Sequence, residues 1–303
     1  MTAMGKVSAV TGSAGVGGIV PATPAEQLFS LAALRRAWLA VKRTGGGAGA
    51  DGMTIQKFEA NLPVELEELR RQLVSGDYQP RLLRRMLSPK ASGGLRPLVL
   101  WALPDRIAQR AVYDILAPTF EAIFLPCSLG FRPGLGVEDA VKRLQGLRNE
   151  NLRWVVDADI KDCFDSINTQ RLLPLVAARV QEPLLLRYVE RWLEAKIFNT
   201  ADGAPQKAGA SQGSVLSPLL ANIYLHQVDE ALTQQQIHFL RYADDLVVCC
   251  RRKSEAQHAL VALHDALTYW GLRMHEQKTR LVHFNDGFTW LGYFFVRDEC
   301  YRV

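Results

Sequence analysis

The chain has 303 residues, of which 48% are hydrophobic and 22% charged. That balance excludes a wholly disordered or fibrous chain and gives enough apolar mass for one large domain or two subdomains. The net charge of +5 is a mild surplus, but residues 70–110 alone carry nine basic and two acidic side chains, and such clustering suits a polyanion gripped through its phosphates, a solvated basic face being the plainer alternative.

Residues 1–25 are rich in Gly, Ala, Ser and Thr and read as a flexible tail without the apolar core of a signal peptide. The GSAGVGG within it has no preceding strand and no following Lys, so it does not read as a phosphate-binding loop. Leu28, Leu31, Leu34, Trp38 and Val41 recur at helical spacing and predict a helix over 24–41. GGGAGADG at 45–52 is a loop. Phe58, Leu62, Leu66, Leu69 and Leu73 predict a second helix, stopped by Gly76 and Asp77. Between 78 and 100, short apolar-basic segments flank a turn at 90–94 and read as a hairpin. Helices over 105–124 and 137–147 bracket a loop, SLGFRPG, at 128–134. WVVDADI at 154–160 looks like a buried strand carrying two acids. Helices fill 169–196, and an apolar helix covers 217–232. FLRY and LVVCC then flank Ala243, Asp244 and Asp245, a β-hairpin with two acids at its turn. A helix over 254–270 and strands over 280–285 and 288–296 complete the order. Strands mixed with helices in this way imply an α+β fold, an antiparallel sheet backed by helices. No apolar run is long enough to span a bilayer, so no membrane partner is expected. The five cysteines, Cys127, Cys163, Cys249, Cys250 and Cys300, include no CxxC pair, which argues against a disulfide framework or zinc site and fits a reduced, cytoplasmic setting.

The chemistry is concentrated in three acids. Asp159 ends one apolar strand, and Asp244 and Asp245 sit between two others. Ionised carboxylates beside buried strands are costly, and adjacent ones raise each other's pKa. A divalent cation removes that penalty. Mg²⁺ prefers a few carboxylates plus phosphate and water oxygens, and two such ions about 4 Å apart suit an in-line phosphoryl displacement. A solvated hairpin turn is the bland reading of the same residues.

Here the sequence resembles a known family. FLRYADDLVV at 239–248 is similar to the catalytic hairpin of reverse transcriptases, and DADIKDCFDSI at 157–167 to the first catalytic strand of their group II intron branch. GASQGSVLSPLLANIYL at 209–225 resembles the loop and helix of that branch. Blocks such as DYQPRLLRRMLSPKASGGLRPL, DRIAQRAV, SLGFRPG, GLRMHEQKTRLV and FTWLGYFF follow in the same order, so the resemblance covers roughly 45–296.

The resemblance implies a right-hand polymerase with a flexible tail at 1–25, fingers over 26–150 and a palm over 151–303, whose helical stretch 169–204 leans partly on the fingers. It implies RNA-directed DNA polymerase activity on an RNA template and a DNA or RNA primer with dNTPs, using two Mg²⁺ ions for which Mn²⁺ can substitute. Asp159, Asp244 and Asp245 would bind the ions, with the Ile160 carbonyl as a further ligand. Phe164 would stand against the sugar 2′ position, an ordinary core Phe being the alternative. Lys90 and Arg96 would grip the triphosphate, where a planar guanidinium suits bidentate contact. Gln212 would touch the incoming nucleotide or templating pair, and Lys278 would protonate or bind the leaving pyrophosphate. Arg132 would contact nucleic acid or brace the fingers, and Tyr242 would contact nucleic acid.

Four positions depart from the group II pattern: Asp162 and Ser214 stand where Gly is usual, Ser211 where Pro is, and Leu129 where Tyr is. Ser-Gln at 211–212 resembles the low-fidelity reverse transcriptases of diversity-generating retroelements. The sequence ends at Val303, where that pattern continues into a helical thumb. The expectation is therefore no complete thumb, the chain being either a fragment or one that borrows a thumb from a protein partner, and the pathway is open among retroelement mobility, phage defence and a CRISPR-associated role. Two readings of other classes compete. One is a catalytically silent nucleic-acid binder on the same fold. The other is a serine hydrolase, because Gly209-Ala-Ser211-Gln-Gly213 matches a G-x-S-x-G elbow, with Asp244 and His283 following in order. The APQKAGA before Ser211 is a poor strand for that elbow. A nucleotide cyclase would need a Gly-Gly-acid-acid hairpin, which the sequence lacks.

Overall fold

The computed structural model describes residues 23–49, 51–89, 94–198 and 206–303. Most of the expected tail, and all but Gly94 of the expected turn at 90–94, lie outside the described residues. Four helices come first, α1 Pro24–Leu28, α2 Leu31–Thr44, α3 Ile55–Ala60 and α4 Leu62–Ser75. The spacing over 24–41 predicts one helix, yet the Ser30 hydroxyl accepts from the Ala33 N–H and starts a new one. A serine at a helix start satisfies an orphan N–H better than it continues a helix. Asn61, followed by Pro63 in the first turn, divides α3 from α4, and Gly76 at φ 80 ends α4.

The antiparallel hairpin of β1 Leu83–Pro89 and β2 Leu95–Leu100 follows, then α5 Leu103–Glu121, α6 Val137–Asn149 and β3 Trp154–Asp159. Next are α7 Cys163–Ser166, α8 Thr169–Ala177, α9 Pro183–Glu194, β4 Lys196–Phe198 and β5 Gln206–Lys207. The stretch 169–204 reads as helical from sequence, but α9 gives way to β4, which pairs in parallel with β1 through Leu83 and Ile197. Three residues are too few to show a period of two. The chain continues through α10 Ser217–Gln234, β6 His238–Tyr242, β7 Asp245–Cys250 and α11 Lys253–Tyr269. It closes with β8 Arg280–His283, β9 Phe288–Trp290, β10 Tyr293–Val296 and β11 Glu299–Arg302. Leu291 and Gly292, both at positive φ, turn the single strand expected over 288–296 into two.

Among the described residues three sheets form, in the orders β2-β1-β4-β5, β6-β7-β3-β8 and β9-β10-β11. The second is antiparallel throughout and occupies the centre. Its strands are apolar on both faces, as the Val-Val pairs in β3 and β7 imply. Val156, Leu246 and Val248 face a core shared with α10 and α11, whereas Val155, Val247 and Cys249 face a second core with α6, Phe288 and Phe295. Each fully buried Val or Leu contributes about 1.5–3 kcal/mol, so the sheet is pinned from both sides. No helix among the described residues is long and apolar enough to cross a membrane.

The first sheet is tied to α5 by a buried acid. Asp105 is fully buried and accepts from the Tyr78 hydroxyl and, at 3.3 Å, from the Arg81 N–H. Burial lifts its pKa from 3.8 to about 6. The folded chain therefore holds a proton that the unfolded chain releases between those values, so stability falls as pH rises from about 4 to about 6, by on the order of 3 kcal/mol. Urea unfolding followed across that range is expected to show the slope, and Asp105→Asn to reduce it by Asp105's share; a slope unchanged by the substitution rules Asp105 out as a source.

Candidate active site

β6 and β7 are joined by two residues, Ala243 and Asp244, of which Ala243 takes φ 59. A two-residue hairpin wants that twist, usually from Gly, so an alanine there is strained. The turn is held by neighbours on three sides. The Ile160 N–H donates to the Asp244 carbonyl at 3.1 Å. Gly130 lies so close that a Cβ built on it would stand 2.2 Å from the Ala243 nitrogen. Arg241, fully buried, donates to the Ala243 carbonyl at 3.1 Å and to Asn222 Oδ1 at 2.9 Å. The same guanidinium pairs with Asp229 of α10, itself fully buried, at 2.8 and 2.5 Å, and donates to Ser128 Oγ at 2.7 Å. Asn222 then donates to the Gly130 carbonyl at 2.9 Å. Arg241, Asp229 and Asn222 thus lock hairpin, loop and helix together. The sequence reading passed over all three. The one available signal was an Arg inside an otherwise apolar strand, which needs a buried partner.

This scaffold brings the acids together. In the antiparallel register Asp159 lies directly opposite Asp245, and Asp245 opposite Tyr242. Facing residues of such a ladder have Cβ atoms about 4.5–5.5 Å apart on one face. Asp157, two residues earlier on β3, shares that face. A cleft of about 350 Å³ opens over them, lined by Asp157, Asp159, Asp245, Lys278, Thr289 and Trp290 among others. The segment after α11 extends the strand edge, since the His275 N–H donates to the Asp159 carbonyl at 2.8 Å. That contact carries Lys278 to the cleft, where Nζ donates to Asp159 Oδ2 at 2.7 Å. Arg280 similarly donates to Asp157 Oδ2 at 2.7 Å.

The electrostatics are those of crowded, half-buried acids. Burial, reinforced by Asp244 and Asp159, pushes Asp245 up to about 7. Burial, then Asp159, also raises Asp244, and burial raises Asp157 against the pull of Arg280. The hydrogen bond to Asp159 raises Lys278 above its ordinary range. Among the described residues no three carboxylate, imidazole or thiol side chains stand close enough to cage a cation ready-made. The donor set instead suits Mg²⁺, which takes one or two carboxylates and completes its shell with water and phosphate oxygens.

Among the described residues, none of the other expected ones lines this cleft. Phe164 is on α7, partly buried, edge-on to Phe131 with centroids 6.1 Å apart. Asp162, where the related pattern has Gly, takes φ 46, a left-handed conformation that Asp tolerates better than most residues. The Gln212 carbonyl accepts from the Val99 N–H at 2.9 Å, binding its loop to β2, the strand that holds Arg96. Lys90 lies outside the described residues. Arg132, expected at nucleic acid or as a brace, makes several internal hydrogen bonds. Its guanidinium donates to Glu121 Oε2 at 2.8 Å and to the Leu125 and Ser128 carbonyls at 3.1 and 2.9 Å, leaving little to offer a ligand. Ser211 is buried, and its hydroxyl has no hydrogen-bond partner. A nucleophilic serine needs an adjacent base, so no hydrolase site is assembled.

Comparison with known proteins gives a consistent result. A family model described as reverse transcriptase (RNA-dependent DNA polymerase) matches residues 88–295. Protein YkfC of Escherichia coli (strain K12) is 30% identical over 293 residues, which cover 83% of this chain and 76% of that protein. The group II intron-encoded protein LtrA of Lactococcus lactis subsp. cremoris is 31% identical over 202 residues, 66% of this chain and 34% of its own length. The chain therefore spans about three quarters of the one relative and a third of the other. Among solved structures, telomerase from Candida albicans in complex with a fragment of telomeric RNA aligns with a TM-score of 0.59 at 11% identity, over 82% of this chain and 50% of that one. Apo telomerase from Candida tropicalis gives 0.55 at 15%, over 73% and 54%. At such identities the likeness is one of fold alone.

The buried pair offers a direct test of the scaffold. Asp229→Ala leaves the Arg241 charge uncompensated in the core and is expected to cost about 3–5 kcal/mol in urea unfolding. A loss under about 1 kcal/mol, the range of an exposed pair, would mean that the guanidinium reaches water after all.

Proposed function

This chain belongs to the reverse transcriptase family and carries its polymerase domain, and from that premise we propose that it extends a primer on an RNA template by two-metal phosphoryl transfer. The observation that carries the reading is the cross-strand opposition of Asp159 and Asp245, with Asp244 beside them at the turn. Asp159, Asp244 and Asp245, with the Ile160 carbonyl, would hold divalent cations, Mg²⁺ first and Mn²⁺ as a substitute. When bound, such ions neutralise the carboxylates and the charge that gathers on the transferring phosphoryl group.

The chain's own residues supply position. In the reaction the primer 3′-oxygen bonds to the α-phosphorus of a dNTP, the bond to the β-phosphate breaks, and the hydroxyl proton is lost. Lys278, whose ammonium reaches the cleft at Asp159, would bind the departing pyrophosphate or protonate it. Phe164 would lie against the sugar and leave no room for a 2′-hydroxyl. Gln212, fixed to β2, would meet the incoming nucleotide or its templating pair, and Lys90 and Arg96 of the hairpin would take the triphosphate. Tyr242, in register with Asp245, would face the primer end. In this reading the fingers run over 26–150 and the palm over 151–303.

Primer extension on matched RNA and DNA templates, with Mg²⁺ or Mn²⁺, tests the proposal. Asp244→Ala and Asp245→Ala are each expected to lower extension by roughly 10²-fold or more, the scale seen when a key electrostatic group is removed, while template binding in a gel-shift assay persists. Extension that survives either change sinks the assignment. A wild-type chain that binds but never extends favours the silent binder instead.

A further inference from the structure

We propose that Phe131 is a positioning residue: its ring fixes the side chain of Phe164 and thereby sharpens the choice of deoxyribose over ribose. The inference rests on the reading of Phe164 as the residue that meets the sugar. The two rings stand edge to face, centroids 6.1 Å apart and planes at 63°. Phe131 is 46% exposed, so core burial does not explain an aromatic side chain there. Its backbone holds φ 61, a conformation that bulky L-residues avoid and that persists only when the surroundings over-determine it.

The surroundings do so. On one side Gly130 is wedged against Ala243, with its carbonyl bound by Asn222. On the other, Arg132 is clamped to Glu121 and to the Leu125 and Ser128 carbonyls. Phe131 is therefore carried by the hairpin that bears Asp244 and Asp245 on one flank, and by α5 on the other. Phe164, in contrast, sits on a four-residue helix and is only partly buried. One turn of helix does little to select a rotamer, so the contact with Phe131 supplies a wall that α7 does not. Without that ring, Phe164 can swing toward the vacated space and admit a 2′-hydroxyl.

The test is primer extension by the full chain, with kcat and KM measured separately for each dNTP and the matching rNTP. Phe131→Gly removes the ring while suiting the positive φ, so it should fold. It is expected to lower the dNTP preference by about 3–10-fold, the scale of an aromatic pair, through faster rNTP use with dNTP kinetics little changed. Phe131→Tyr should restore the preference. In a Phe164→Ala background, Phe131→Gly should change nothing further, because its effect runs through Phe164. Equal losses for both sugars, or a preference unmoved by Phe131→Gly while Phe164→Ala abolishes it, would overturn the inference and leave the function standing. If Phe164→Ala itself fails to raise rNTP use, the reading of Phe164 falls and this falls with it. A wild-type chain without extension overturns both.

Discussion

Two carboxylates face each other across neighbouring strands, with a third at the adjoining turn and a fourth two residues away on the same face. Like charges directly opposite in a ladder destabilise it, and partial burial makes the repulsion worse. Left alone, such a strand end would splay or slip its register. The surrounding structure is arranged to prevent that. Val155, Val156, Val247 and Val248 clamp the two strands between separate cores, so a one-residue slip would turn acids into both. Lys278 and Arg280 each cover one acid. Neither donates a hydrogen bond to Asp245, whose pKa burial and the neighbouring acids push up to about 7.

Backbone strain collects at the same place. Ala243 and Leu291 both take positive φ, Ala243 in the turn that leads into Asp245 and Leu291 in the lining of the cleft. Conformations of this kind cost on the order of 1–3 kcal/mol each and survive only where packing leaves no alternative. Arg241 supplies much of that compulsion, since its five donors reach a hairpin carbonyl, a loop hydroxyl and two side chains of α10. A buried ion pair adds little net stability compared with apolar packing. Its value in this fold is directional: it aims the turn.

Much of this was readable in advance, for physical reasons that differ by element. The apolar runs of β3 and β7 identified doubly covered strands, and the acids at their ends were conspicuous because nothing nearby in sequence neutralised them. The identity of those neutralising groups was not readable. Lys278 and Arg280 arrive from more than a hundred positions downstream of β3, delivered by the His275–Asp159 hydrogen bond and by the pairing of β8 with β3, which sets Arg280 opposite Asp157. Helix breaks at Ser30 and Asn61 were missed because apolar spacing runs straight through a cap. β4 escaped notice because its pairing partner, not its composition, makes it a strand. For Arg132 the sequence leaves nucleic-acid contact and a brace both open, and its hydrogen bonds to Glu121 and to the Leu125 and Ser128 carbonyls come from residues no local pattern could pair with it.

The parallel pairing of β1 with β4 has a bearing on how the chain is made. Leu83 meets Ile197 only after β4 has left the ribosome, so until then the start of the nascent β1 has an uncovered edge. Such an edge is a template for pairing with other chains. The two arginines in LRRMLSP are the kind of charge that discourages such pairing during synthesis.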